Sequence, residues 1–197
     1  NSRNLYPPRV NDMDSRFNYL HAYGWEETGF PFDWVQNFNR HLQGMTVMSN
    51  QVKKTLIDNG VSIPIYISLL GVDHINRIRQ ANDFYIEAKK YKFLHISSCF
   101  PRKGIKCLLE AYGSAFSDND DVSLLIKTFP NPHNNLHKLL TDFQSSNSKY
   151  PHVVVIEEDL SLEQIKALYL QSDCLIAPSH GEGFGLPIAE AMSLGIP

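Results

Sequence analysis

From residue 93 onward the chain switches regularly between two hydrophobic periods. Short apolar runs at Phe93-Leu-His-Ile-Ser97, Val122-Ser-Leu-Leu-Ile126, His152-Val-Val-Val-Ile156 and Cys174-Leu-Ile-Ala177 predict strands. Helical spacing fills the gaps. Residues 104–116 place Ile105, Leu108, Leu109, Tyr112 and Phe116 on one face, and residues 134–143 predict a second helix. Ser161-Leu-Glu-Gln164 has the spacing of a capping box and opens a third, with Leu162, Ile165, Leu168 and Tyr169 inward. Pro187 near the start and Gly195 past the end bracket a last helix. Strands that alternate with helices imply βαβ units and a mostly parallel sheet. The near-continuous apolar run Val153 to Ile156 fits burial on both faces.

Before residue 93 the pattern is weaker. The first 32 residues predict no regular element: a polar start with Pro7-Pro8, then an aromatic, Gly-punctuated stretch, Tyr19 to Pro31. Asp33 is the expected N-cap of a helix carrying Trp34, Val35, Phe38 and Leu42. Residues 45–49 and 63–69 predict two short strands, separated by a helix that Asn50 caps and Gly60 stops. Gly71-Val-Asp73 reads as a turn, and the rising charge from His74 to Lys90 as a linker. The expected organisation is residues 1–75 as the tail of one domain, 76–90 as a hinge, and 91–197 as part of a second. The loop-rich opening and a close at Gly195-Ile-Pro197, where another strand should begin, lead us to expect a chain cut at both ends.

Composition narrows the function classes. With 43% hydrophobic and 20% charged residues among 197, the chain is an ordinary globular one. Eighteen basic against 21 acidic residues argue against a nucleic-acid binder. No apolar run reaches a membrane span, and no signal peptide opens the chain, although peripheral membrane contact stays open. Cys99, Cys107 and Cys174 cannot all pair within one chain, and they lie in apolar or strand-like settings. A reducing, cytoplasmic compartment is the expectation.

The chemistry concentrates in Pro178-Ser-His-Gly-Glu-Gly-Phe-Gly-Leu-Pro-Ile-Ala-Glu-Ala-Met192, between a strand and a helix. That is the carboxyl edge of a parallel sheet, where open α/β folds bind ligands. Gly181, Gly183 and Gly185 would let backbone approach a ligand, and free N–H groups at the helix start favour an anion such as a diphosphate. Glu182 and Glu190 suit hydroxyls rather than phosphate. Arg102-Lys103-Gly104, after the first strand of the same half, supplies the cations. If the first and fourth strands are neighbours, both loops face one crevice. A diphosphate between two polyols describes a nucleotide sugar.

Glu182 and Glu190, with seven residues between them in Gly-Glu-Gly-Phe-Gly-Leu-Pro-Ile-Ala-Glu-Ala-Met, resemble the E-x7-E signature of retaining GT-B glycosyltransferases of family four, the glycosyl transferases group 1. The turns at Arg102-Lys103-Gly104 and Gly71-Val-Asp73, and the stretch from Ser172-Asp173 to Pro178-Ser179, match that family in order. The resemblance implies two Rossmann-like domains of α/β class, a donor-binding second domain, and metal-independent transfer of sugar from a UDP-, GDP- or ADP-sugar to a glycan or lipid-linked acceptor. Residue by residue, it implies that Lys103, with Arg102, neutralises the diphosphate. It further implies that Glu190 takes the ribose and Glu182 touches the transferred sugar. Gly183, Phe184, Gly185 and Leu186 would line the donor, with backbone at Ile156 and Glu157 meeting the base. The family's arginine five residues before the lysine is Ser98 here.

Rival readings stay in view. A non-catalytic nucleotide-sugar binder shares every motif. A dinucleotide-binding oxidoreductase fits less well, because G-x-G-x-G after the fourth strand misses the G-x-G-x-x-G spacing. Asp12-Met-Asp14 and Asp118-Asn-Asp120 read as turns before metal sites, and His133 with His137 as a solvated helix start. His95 reads as core, and His180 as either a donor contact or turn filler. Trp25, Glu26 and Glu27 read as an acceptor border or a packed aromatic loop.

Overall fold

The computed structural model describes residues 10–197; the Pro7-Pro8 pair lies outside them. The chain forms two compact units. One takes the chain up to Gly71 together with Gly181–Gly185, and the other takes Val72–His180 with Leu186–Pro197.

The first unit holds a three-stranded parallel sheet, β1 (Tyr19–Tyr23), β2 (Gly44–Val47) and β3 (Ile65–Ile67), in that order. Helices α1 (Phe32–His41) and α2 (Asn50–Asp58) connect the strands. β1 lies where the sequence predicts no element. Its ladder with β2 shifts between Leu20 and Tyr23, Ala22 has φ +50°, and the Ala22 N–H donates to the Thr46 hydroxyl instead of to a strand carbonyl. So irregular a strand has no clean period. Two caps also move. α1 starts one residue ahead of Asp33, with Pro31 at its N-cap. α2 is capped by Ser49, not Asn50: Ser49 is extended and its hydroxyl accepts from the Val52 N–H. The core here joins Leu20, Met45 and Val47 to edge-on aromatic contacts among Tyr23, Phe30 and Phe38.

The second unit matches its periodicity more closely. β4 (Tyr91–Ile96), β5 (Val122–Lys127), β6 (His152–Ile156) and β7 (Cys174–Leu175) form a parallel sheet in the order β6-β5-β4-β7. β4 and β5 pair without a slip from Tyr91↔Val122 to Ile96↔Lys127. β7, half its expected length, pairs with β4 at Phe93↔Cys174 and Leu94↔Leu175. The first and fourth strands of this half are therefore neighbours.

Helices cover both faces of that sheet. α4 (Ile105–Ala115) and α5 (Leu136–Ser146) pack over Leu124 and Ile126. On the other face, α6 (Leu162–Leu170) and α7 (Leu186–Ser193) pack over Leu94, Leu125 and Ile156. α6 opens with the capping box foreseen at Ser161 and Gln164. The fold is α/β, parallel sheets flanked by helices.

The segment expected as turn and linker is ordered structure. Asp73 opens a short helix, α3 (Asp73–Arg77), with Ile75 fully buried, and Phe84, Ile86 and Ala88 pack on the second unit's core. Gln171 holds the same stretch at both ends of its amide, accepting from the Ile86 N–H and donating to the Phe84 carbonyl. Among the described residues, no helix is long and apolar enough to cross a membrane.

Candidate functional site at the carboxyl edge of the second sheet

The basic turn is a single 3-10 turn, Pro101–Lys103, and Gly104 joins it to α4. Gly104 has φ +72°, and a β-carbon there would overlap the Pro178 carbonyl oxygen. The Arg102 carbonyl accepts the His180 N–H at 2.8 Å. The loop after β4 and the loop after β7 are thus docked by backbone. Arg102 and Lys103 stand where the acid-bearing segment begins.

Glu190 lies on α7 and is only 8% exposed. Its Oε1 accepts from His74 Nε2 at 2.8 Å, and its Oε2 accepts from the Tyr169 hydroxyl at 2.8 Å. Burial, reinforced by the Glu190 carboxyl, pushes the Tyr169 phenol far above its ordinary value, so it remains a donor. Each carboxyl oxygen keeps a second lone pair, leaving capacity for a ligand hydroxyl. Neither partner is visible in the sequence pattern: His74 is 116 positions away and Tyr169 is 21. Tyr169 stands out only as a polar-tipped residue on a buried helix face.

Two of the glycines of the acid-bearing segment are required by packing or backbone shape. Gly181–Gly185 group with the first unit. There a β-carbon on Gly181 would come within 2.6 Å of the Glu26 carbonyl oxygen, and one on Gly183 within 3.4 Å of Met48 Cε. Close packing against the Glu26 carbonyl accounts for Gly181, whereas at Gly183 a β-carbon would meet only ordinary van der Waals contact. Gly185 needs its glycine for backbone shape, with φ +78°. Glu182 and Phe184 lie in this same stretch. Leu186 begins α7.

At the end of β6, the Ile156 carbonyl accepts from the Thr128 N–H at 3.0 Å, and Ile156 itself is core. This uses one of the two lone pairs of that carbonyl. Glu157 follows, its carboxyl 3.1 Å from His137 Nε2. The next polar cluster lies at the end of β4. His95 is 1% exposed, with Nδ1 at 2.8 Å from the Ile176 carbonyl and Nε2 at 2.8 Å from the Ser97 hydroxyl. Cys99 is fully buried at φ +52°, a strained value for a residue with a β-carbon. Burial pushes its thiol up, against hydrogen bonds with Thr128 and Ser97. The Ser98 carbonyl accepts from Asn131 Nδ2 at 2.9 Å, tying this loop to the one after β5.

Several other candidates resolve into local structure. Asp120 accepts from the Ser117 N–H and hydroxyl, and Lys89 donates to the Asp118 and Asp120 carbonyls, so Asp118-Asn-Asp120 forms a turn. His133 lies before α5 against the Phe100 ring, so it shares no helical face with His137. Trp25 stacks edge-on against Phe30 and Trp34 and donates to the Gly29 carbonyl, a packed aromatic loop. Cys107 is exposed on α4 beside an apolar hollow lined by Leu108, Ala111 and Phe116, and all three thiols are free. Among the described residues, no group of three or more His, Cys, Asp or Glu is placed to hold a metal ion.

Comparison with known proteins places this geometry. An MMP alpha-(1->4)-mannosyltransferase from Mycolicibacterium hassiacum is 30% identical over 155 residues, 78% of this chain and 35% of that protein. The chain spans little more than a third of the length of the curated relatives it matches. Sucrose-phosphate synthase from Thermosynechococcus elongatus superposes with a TM-score of 0.70 at 18% identity, over 96% of this chain and 51% of that one. The pneumococcal O-GlcNAc transferase GtfA, solved in complex with UDP and GlcNAc, gives 0.62 at 17% identity, over 89% of this chain and 36% of that one. At such identities these structures establish the fold, which is that of GT-B glycosyltransferases. The family model for glycosyl transferases group 1 matches residues 76–197, more than half of the chain, and the protein belongs to that family.

Proposed function

We propose that the protein moves a sugar from a nucleoside-diphosphate sugar to an acceptor hydroxyl with retention of configuration, without a metal ion, in polysaccharide or glycoconjugate assembly. The supporting observation is the backbone docking of the basic turn onto the Pro178–His180 loop, through Gly104 and the Arg102 carbonyl. It sets two cations at the sheet edge where a donor diphosphate would lie. Lys103 and Arg102 neutralise the diphosphate. Their work is greatest as the bond to the sugar breaks and charge develops on the leaving phosphate. Glu190, held by His74 and Tyr169, takes the ribose hydroxyls on its remaining lone pairs. Glu182 contacts the transferred sugar, and Gly183, Phe184, Gly185 and Leu186 line the donor. Backbone at Ile156 and Glu157, at the end of β6, meets the base. The mannosyl transfer named for the Mycolicibacterium hassiacum relative supports a sugar donor.

Thermal unfolding of the chain with UDP-, GDP- and ADP-sugars tests this reading. One donor class should raise the midpoint, by the equivalent of about 2.7 kcal/mol at a hundredfold excess over Kd. In sugar-transfer assays on the full-length enzyme, Lys103→Ala should cost about 2–4 kcal/mol of transition-state stabilisation. Binding of none of the three, or an unchanged kcat in Lys103→Ala, overturns it.

A further inference from the structure

Lys127 ends β5, in register with Ile96 on one side and Ile156 on the other. Leu125, two positions earlier, packs with Leu94, Ile156, Tyr169 and Ala191, and strand alternation sends Lys127 to that same face. Glu190 borders this layer too, through its bond to Tyr169 and its place beside Ala191 on α7. Lys127 is 9% exposed. Its ammonium makes one hydrogen bond, donated to the Thr128 carbonyl at 2.7 Å, and no carboxyl group among the described residues pairs with it. An ammonium has three donors, so two are left over.

A buried cation without an acid is costly, because it gives up its hydration with no opposite charge in return. A protein that needed only a plug at the strand end would do better with leucine. The neighbourhood is also held rigid. The Thr128 N–H is bonded to the Ile156 carbonyl, and Asn134 Nδ2 donates to the Thr128 hydroxyl at 3.2 Å and to the Phe129 carbonyl at 3.1 Å. The carbonyl that orients the lysine is therefore fixed in advance. A preset donor at the ligand-binding edge of a parallel sheet is suited to an anion.

We propose that Lys127 is a third cationic contact for the donor, reaching its diphosphate from the sheet side while Arg102 and Lys103 act from the loop after β4. The inference rests on the nucleotide-sugar reading above. It adds a specificity element: Lys127 makes the site select a nucleoside diphosphate over the bare nucleoside.

Calorimetry on the 197-residue chain with UDP, GDP and ADP, and with uridine, guanosine and adenosine, tests it in wild type, Lys127→Met and Lys127→Gln. Wild type should bind one of the three diphosphates. Both variants should unfold cooperatively and lose about tenfold to a hundredfold in affinity for that diphosphate. The matching nucleoside should bind the variants as it binds wild type. Undiminished diphosphate binding in the variants overturns the role of Lys127 while leaving the donor reading intact. An equal loss of diphosphate and nucleoside affinity also overturns it. If neither variant folds, the ammonium is a structural prop for the Thr128 carbonyl and the proposal fails. A wild type that binds none of the diphosphates overturns the donor reading and this inference together.

Discussion

Glu190 and Lys127 are both buried on the α6–α7 face of the second sheet, yet the protein treats them in opposite ways. Glu190 has a protein donor on each oxygen, one from α6 and one from α3. Lys127 has a single carbonyl, that of the residue after it. The first arrangement is a network whose members orient one another and leave acceptor capacity on the carboxyl. The second leaves hydrogen-bonding capacity unmet inside the fold. The contrast separates a carboxyl that the fold itself orients from an ammonium that we propose a ligand completes. Removing the buried Tyr169 donor should therefore damage the fold, whereas removing the ammonium of Lys127 should chiefly affect binding.

The largest effect should come from Tyr169→Phe. The ring still fills its fully buried site, but one oxygen of Glu190 loses its donor in a place water barely reaches. We expect a loss of about 1.5–3 kcal/mol by urea unfolding. A change below about 0.5 kcal/mol would show that the network is not structural.

Alkali should sharpen the same point more gently. Burial pushes Tyr150 up to about 12, and Tyr23, Tyr112 and Tyr169 are pushed up as well, each chiefly by burial. Unfolded tyrosines ionise near pH 10, about the ordinary value for the phenol. Their folded values are raised, so this contribution to stability is complete below about pH 10 and is lost as pH climbs toward 12 and beyond. Unfolding midpoints measured from pH 9 upward should fall across that window, and the fall should be shallower in Tyr169→Phe.

His74→Ala should matter least. The His74 side chain is 41% exposed, and water can replace it at Glu190. The loss should stay below about 1 kcal/mol. Donor affinity should still drop in this variant, because the Glu190 carboxyl is then held on one side only.

The two units differ in how far local pattern specifies them. In the second, six unbroken register pairs between β4 and β5 and aliphatic layers on both faces leave a strong periodic trace. In the first, β1 carries a register shift and a residue at positive φ, and its core leans on aromatic rings from loops and helices. Such a strand is held by its neighbours rather than by its own alternation, so the period that reveals β4 or β6 is missing from Tyr19–Tyr23.

By itself the sequence determined what depends on near neighbours: the βαβ rhythm, the Ser161–Gln164 capping box, the helix-stopping glycines Gly60 and Gly195, both at positive φ, and the run of motif residues at one strand-to-helix passage. Only the tertiary structure decided which groups meet across long stretches of chain: His74 with Glu190, the Arg102 carbonyl with His180, Gly181 against the Glu26 backbone, and Lys127 buried without an ion pair among the described residues. The reason is physical. Period and capping are set by interactions within a turn or two, whereas the partners of a buried polar group are chosen by packing between elements that no local pattern encodes.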